Sequence, residues 1–397
     1  MRKFFFILLF FPLSCGGEKE TLVDIESFLS QGKKIDLVKK KNFNKKNINL
    51  ISKVDTKTIF DFSESKKKKE ISVKSDKFLT YQNKIITIDN HSRITLFNLN
   101  LKKITSKKIY SRKIYKNYKI IFSIAANKNY LFVSDNLGNL HAFDVKNLKL
   151  LWKKNLGVPF LSNIQFYKKD LFILNGNSKI FSFNQSNGKL NWSFETLSNN
   201  FKDSKSYQLK VIKDYLLFTN NSGEIYCLNL KSNSTVWSLV FGNDIFENVP
   251  IIFKSSPISY EKDGTLIIST NKGLTYNFNT DTGETRWSSQ IYSLNKFLVT
   301  KKYLFNVFEN NFFIIDKLNG KILLNKKIIN SKNIFLFTNL LIGKNKIYLY
   351  DVDGFVISIE KKDLNNISIN KIFKNFLNYK IYKNHLFINT GYSIIKY

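Results

Sequence analysis

Each of the four tryptophans in this chain, Trp152, Trp192, Trp237 and Trp287, lies eight residues after an Asp or Asn, these anchors being Asp144, Asn184, Asn229 and Asn279. The phrase around them recurs as well: a turn, a short alternating strand, the anchor, a polar loop, then an apolar stretch ending in Trp, as in NSGEIYCLNLKSNSTVW and NKGLTYNFNTDTGETRW. Self-similarity of this kind dictates architecture, because a unit too small to bury its own apolar faces must stack against its copies.

Six residues before each anchor stands a turn residue: Gly138, Ser178, Gly223 and Gly273. The same spacing, followed without Trp, recovers Ser92 to Asn98, Asn310 to Asp316, Gly354 to Glu360 and Gly391 to Tyr397, giving eight units. Their anchors, 98, 144, 184, 229, 279, 316, 360 and 397, recur at the roughly 40 to 50 residues expected of four-stranded propeller blades. In the second unit the strands read as Tyr118 to Ala125, Tyr130 to Ser134, Leu140 to Phe143 and Leu150 to Lys153. Short runs of Ile, Phe, Tyr, Leu and Val broken by Asn, Gly, Asp and Ser are strands rather than helices. The expected fold is therefore all-β: an eight-bladed β-propeller of four-stranded antiparallel blades. The Trp on each outermost strand has a structural task, filling the gap between neighbouring sheets.

The eighth unit reaches Tyr397 on what reads as its third strand, so its outer strand must come from elsewhere. Asn49 to Phe62, with alternating apolar residues, is assigned to complete that blade and close the ring, which removes an exposed sheet edge. Ahead of it, Arg2 and Lys3 precede an apolar run from Phe4 to Leu13, in the order of a secretory signal peptide and too short to span a bilayer. Ser14-Cys15-Gly16-Gly17 resembles a bacterial lipoprotein cleavage site, in which Cys15 is lipidated and Gly16 after it is the outer-membrane sorting pattern. The chain thus divides into a signal peptide over 1–14, a lipid-anchored flexible tether over 15–47 and the propeller over 48–397.

The formal charge of +33, from 63 Lys and Arg against 30 Asp and Glu, is of the kind that draws a protein to anionic surfaces. Lys, Asn, Ile and Phe are enriched together, however, as an AT-rich coding sequence produces, and the charge is read as compositional. Nucleic acid is not an expected partner of an exported protein. With Cys15 acylated, Cys227 is left alone, so no disulfide forms, and its alternating strand position suits a small buried hydrophobe. His91, His141 and His385 are dispersed and make no ligand pair, so no metal site is expected. Neither a G-x-S-x-G elbow nor a phosphate-binding glycine loop is present. Asp351 and Asp353 flank the Gly354 turn and are accounted for by an ordinary hairpin. No catalytic residues are expected.

The repeat, clearest in Gly273 to Trp287 and Ser178 to Trp192, resembles the pyrroloquinoline-quinone-like propeller repeat. That repeat is shared by quinoprotein dehydrogenases and by the BamB family of outer-membrane lipoproteins. Quinoproteins pair a vicinal disulfide with carboxylate and amide ligands of a calcium ion, and this chain has no adjacent cysteines. A lipoprotein-like leader followed by one eight-bladed ring is similar to the second group. The resemblance implies a non-enzymatic scaffold without cofactor at the periplasmic face of the outer membrane. Its implied partners are a BamA-like barrel insertase and unfolded outer-membrane proteins. The family docks through a Leu-x-Leu-Arg loop and a paired-aspartate loop; the equivalent stretches here, Thr196 to Gln208 and Gly242 to Pro257, carry neither pattern, and Lys254 stands where an acidic residue is expected. Ile245, Phe246, Val249 and Lys254 remain the candidate partner-binding residues, as apolar and charged groups on a long connection. The other class compatible with these features is a lipid-anchored propeller that binds a different envelope partner.

Overall fold

In the computed structural model, residues 69–397 are described, except 76, 197–206, 242–252, 329–334 and 384. They form eight four-stranded antiparallel sheets arranged as the blades of a propeller. Blade 1 spans residues 77–108, blade 2 122–155, blade 3 165–195, blade 4 209–240, blade 5 259–289, blade 6 298–327 and blade 7 337–371; blade 8 takes 378–396. Strands within a blade are joined in sequence order, and the first strands of adjacent blades approach one another around the central channel. The second and third strands carry most of the core, for example Leu131, Phe132 and Val133 with Leu140, Ala142 and Phe143 in blade 2, whereas outer strands are largely solvated.

The spacing of turn and anchor has a local cause in both hairpins. Between the second and third strands the chain must reverse through positive φ, which Gly supplies without steric cost at Gly138, Gly223, Gly273, Gly354 and Gly391. Ser92 and Ser178 adopt it too, at 59° and 57°, and blade 6 shifts it to Glu309. Between the third and outer strands the anchor side chain folds back on its own loop as an Asx turn. Asp144 Oδ1 accepts from the amides of Lys146 and Asn147, Asn184 Oδ1 from Ser186, Asn229 Oδ1 from Lys231 and Asp316 Oδ1 from Leu318. Glu360 is too long for this geometry, and blade 7 instead uses Asp363, which accepts from the amide of Asn365.

The Trp side chains lock one blade to the next. Trp152 Nε1 donates to the Gln185 carbonyl, Trp237 Nε1 to that of Thr280 and Trp287 Nε1 to that of Lys317, each at 2.9 Å and each to the residue directly after the next blade's anchor. The ring lies flat on the glycine four places after that anchor. A Cβ on Gly188, Gly283 or Gly320 would come within 2.8, 2.7 or 2.5 Å of Trp152, Trp237 or Trp287, respectively. Where the outer strand offers a smaller group, the facing hairpin is bulkier: Leu324 of blade 6 packs in one cluster with Leu364 of blade 7, and blade 2 presents buried Leu148 at the glycine position. A bulge precedes the anchor in six blades, at Leu96/Phe97, Ala142/Phe143, Ser182/Phe183, Cys227/Leu228, Asn277/Phe278 and Ile314/Ile315. It leaves one outer-strand residue unpaired and sharpens local twist where the Trp turns toward its neighbour.

Two expectations require correction. Residues 118–121 are not strand: an insertion between blades 1 and 2 carries a short helix, Arg112–Asn117, and the first strand of blade 2 begins at Phe122. The segment Asn49 to Phe62 lies outside the described residues, and the outer place of blade 8 is held by Lys69–Ser72, paired antiparallel with Ser393–Lys396 in the register Ile71 to Ile394. Ile71 and Val73 cover Phe78, Phe97, Leu101 and Phe387. The lysine run ending at Lys69 disguises the apolar alternation that follows it.

The size match between blades predicts non-additive mutations. Trp287→Leu and Gly320→Leu should each cost about 2–4 kcal/mol, one by a cavity and one by overpacking. Together they set a smaller outer-strand group against a larger hairpin group, leaving only the cost of the left-handed backbone at 320 uncompensated, so the double variant should be more stable than the sum of the singles by about 1 kcal/mol or more in denaturant titrations. Strict additivity would mean that ring and glycine do not share one interface.

Candidate functional site

Strand direction sorts the loops onto two faces. One face carries the hairpins between first and second and between third and outer strands; the other carries the turns between second and third strands together with every connection from blade to blade. On this second face a cavity of about 750 Å³ opens at the channel mouth, walled by Lys77, Phe160, Gln208, Phe253, Lys254 and Leu294 among others. The connections enter it with their backbones already satisfied. The Leu161 carbonyl accepts from the Tyr207 amide, and Lys254 exchanges two bonds with Asn271, its amide donating to Asn271 Oδ1 and its carbonyl accepting from the Asn271 amide, both at 2.9 Å. Phe253 stacks on Phe241 with ring centroids 5.4 Å apart and lies over the Gly223 turn. Lys254 is thereby held at the rim between blades 4 and 5.

Of the candidate binding residues, Lys254 is thus placed on the cavity wall, whereas Ile245, Phe246 and Val249 lie outside the described residues, as does Cys15. The four Trp residues are placed at blade junctions, away from this mouth. Sequence reading missed the inward contribution of Phe160, Gln208 and Leu294; they follow no motif, because each belongs to a connection whose length and composition differ from its neighbours.

Tyr110 donates from its hydroxyl to Asp135 Oδ2, and Asp135 Oδ1 also accepts from the amides of Leu137 and Asn139. Burial, followed by the Asp135 bond, raises the Tyr110 pKa well above its ordinary value, and burial lowers that of His141, whose ring packs edge-on against Tyr110 at 5.8 Å. Both groups are held in their neutral forms, which suits a packed turn. Asp351 accepts from the amides of Asp353 and Leu336, and burial raises its pKa, so it serves its hairpin. His91, His141 and His385 stand in three different blades or loops, and no group of three metal-ligating side chains occurs among the described residues.

A family model described as outer membrane protein assembly factor BamB matches residues 109–326. No curated protein matches the chain in sequence. In fold the chain is similar to the crystal structure of BamB from Moraxella catarrhalis, with a TM-score of 0.68 and 14% identity over 83% of this chain and 98% of that one. It is also similar to the computationally designed Ika8 protein (TM-score 0.61, 9% identity, 82% of this chain and 98% of that one) and to Saccharomyces cerevisiae Sqt1 (0.60, 10%, 82% and 99%). Identities this low speak to the propeller alone.

Cys227 gives a direct check of the packing around the site. It is buried on the third strand of blade 4, opposite Trp237, and burial, with a smaller contribution from Asp281, pushes its thiol up to about 12. A thiol reagent at neutral pH should therefore label Cys227 only as fast as the blade opens, and promptly in denaturant. Rapid stoichiometric labelling of this residue in the native protein would contradict the arrangement.

Proposed function

The chain belongs to the family of the outer membrane protein assembly factor BamB, and from that premise we propose that it is a non-catalytic scaffold for outer-membrane protein assembly. It is carried at the periplasmic face of the outer membrane by a lipid on Cys15 and a tether over 15–47, with the signal peptide over 1–14 removed. It docks on the periplasmic part of a BamA-type barrel insertase and holds unfolded outer-membrane proteins near it. Family membership is the observation that carries this reading. It is supported by the placement of Asp135 and Asp351 in hairpin turns and of Cys227 in the core of blade 4, each taken up by the packing of its blade. No helix among the described residues is long and apolar enough to cross a membrane.

The docking surface is assigned to the face of the inter-blade connections, around Lys254 and the adjoining residues Ile245, Phe246 and Val249. A partner's acidic or polar groups would meet Lys254 and its apolar groups the three hydrophobic side chains, which suits a mixed interface with an apolar centre.

Two measurements test the reading. Cys15→Ala should move the protein from the membrane fraction to the soluble periplasm or leave the leader uncleaved; unchanged mass and membrane association would exclude the lipid anchor. Crosslinking followed by affinity purification should recover the barrel insertase with the wild-type protein. A variant in which Ile245, Phe246 and Val249 become Ser and Lys254 becomes Glu should recover at least about tenfold less at an unchanged melting temperature, the loss expected when a small cluster dominates an interface. Recovery of a different envelope partner instead would turn the reading to the broader class of lipid-anchored propellers. Quinone-dependent dehydrogenase activity of the purified protein would overturn the scaffold reading.

A further inference from the structure

Deeper in the channel than the mouth described above, the innermost strands enclose a second cavity of about 350 Å³ lined by Lys210, Ile258, Lys296, Asn339, Leu340 and Tyr379, with other groups. Lys210 belongs to the first strand of blade 4, Leu209–Ile212, and Lys296 lies just before the first strand of blade 6, Leu298–Val299. Directly after Tyr379, on the first strand of blade 8, comes Lys380. Lys210 and Lys296, from two blades, thus line the cavity itself, and Lys380 stands beside its lining residue Tyr379 on the first strand of a third blade.

Burial lowers the pKa of Lys210, and the charges of Lys296 and Lys380 lower it further; burial and then Lys296 do the same to Lys380. Lys210 and Lys380 therefore each feel a like charge from another blade. No carboxylate enters the balance of Lys210 or Lys380, and among the described residues none of the three lysines forms an ion pair or a hydrogen bond. The ion pairs that do occur there engage Lys179, Lys231, Lys317 and Lys346, all elsewhere. Lys296 and Lys380 are exposed to the water of the channel, whereas Lys210 is half-buried.

An arrangement of this kind is costly unless something fills it. Like charges between low-dielectric walls repel, and the same walls focus their field on an entering anion. Lysines are flexible point charges with three donors each, and so adapt to a ligand rich in acceptor oxygens. A cavity of this size takes a small molecule rather than a polypeptide.

We propose that the central channel is an anion-binding site in which Lys210, Lys296 and Lys380 together hold a compact multivalent oxyanion of the phosphate class. The site lies in the ring itself, so the proposal stands whether or not the docking role above is correct. Bound there, the anion ties blades 4, 6 and 8 to one another across the axis, a stabilisation distinct from the junctions at the rim.

Inorganic diphosphate is the probe, titrated calorimetrically into the purified full-length protein at low and at physiological ionic strength. Wild type should bind it saturably at one site per chain, more weakly as salt rises, and melt at higher temperature in its presence. The triple variant Lys210→Met, Lys296→Met, Lys380→Met should melt at or above the wild-type temperature without the anion, because the repulsion is gone. It should also lose at least about tenfold in affinity together with the anion-induced rise in melting temperature. A control with Lys146→Met, Lys149→Met and Lys189→Met, three exposed lysines on the opposite face, should bind as wild type does. If the triple variant does not fold, each single substitution should weaken binding about threefold or more. Absence of saturable binding by wild type, or equal binding by the channel variants and wild type, overturns the site and leaves only diffuse attraction by a basic protein.

Discussion

At three of the blade junctions, the contact that fixes one blade against the next is the seating of an indole on a glycine in the next blade. Blades are sheets of the same size and twist, and nothing in a four-stranded sheet alone fixes its angle to its neighbour. Trp152, Trp237 and Trp287 supply that angle: each reaches out of its own outer strand, donates to the carbonyl after the next anchor and lies against a hairpin glycine whose missing Cβ makes the close approach possible. A large buried ring with one hydrogen bond is well suited to this, because its area supplies the attraction and its N–H supplies the register. Glycine is required twice over at Gly320, once by a φ of 71° and once by the ring pressed on it.

That interlock explains why so much of the fold can be read from the chain. The Asp and Asn anchors are legible because an Asx turn tolerates few other residues, and the turn glycines because positive φ does the same. The reciprocity between Trp and Gly, or between Leu324 and Leu364, is also present in the sequence, but only for a reader who already knows which loop faces which strand. Other features leave no local trace. The bulge beside each anchor depends on pairing across two strands. The helix Arg112–Asn117 has no buried residue and no acidic first turn to announce it. The closing strand Lys69–Ser72 hides behind a run of lysines that suggests a solvated loop, although Ile71 and Val73 carry the necessary alternation.

The candidate sites were less legible for a related reason. Lys254 was picked out by a comparison of loops, and the structure does place it on the channel mouth. Lys210, Lys296 and Lys380 are invisible among 63 basic residues, since their meaning comes from convergence across blades and not from any spacing along the chain.

The division of labour between the two faces follows from the same physics. The rim junctions of blades 2 to 7 use the hairpins between third and outer strands, which stay within four to six residues, whereas blade 8 takes its outer strand from Lys69–Ser72. The connections between blades lie on the opposite face and are released from that duty. They run from the 4 residues of 73–76 to the 18 of 241–258, and one of them holds the helical insertion. A loop that the fold does not need in one form can diverge until it fits a partner. The partner-binding surface is accordingly sought on that face, and most of all on the longest connection, which ends at Lys254 and the mouth of the channel.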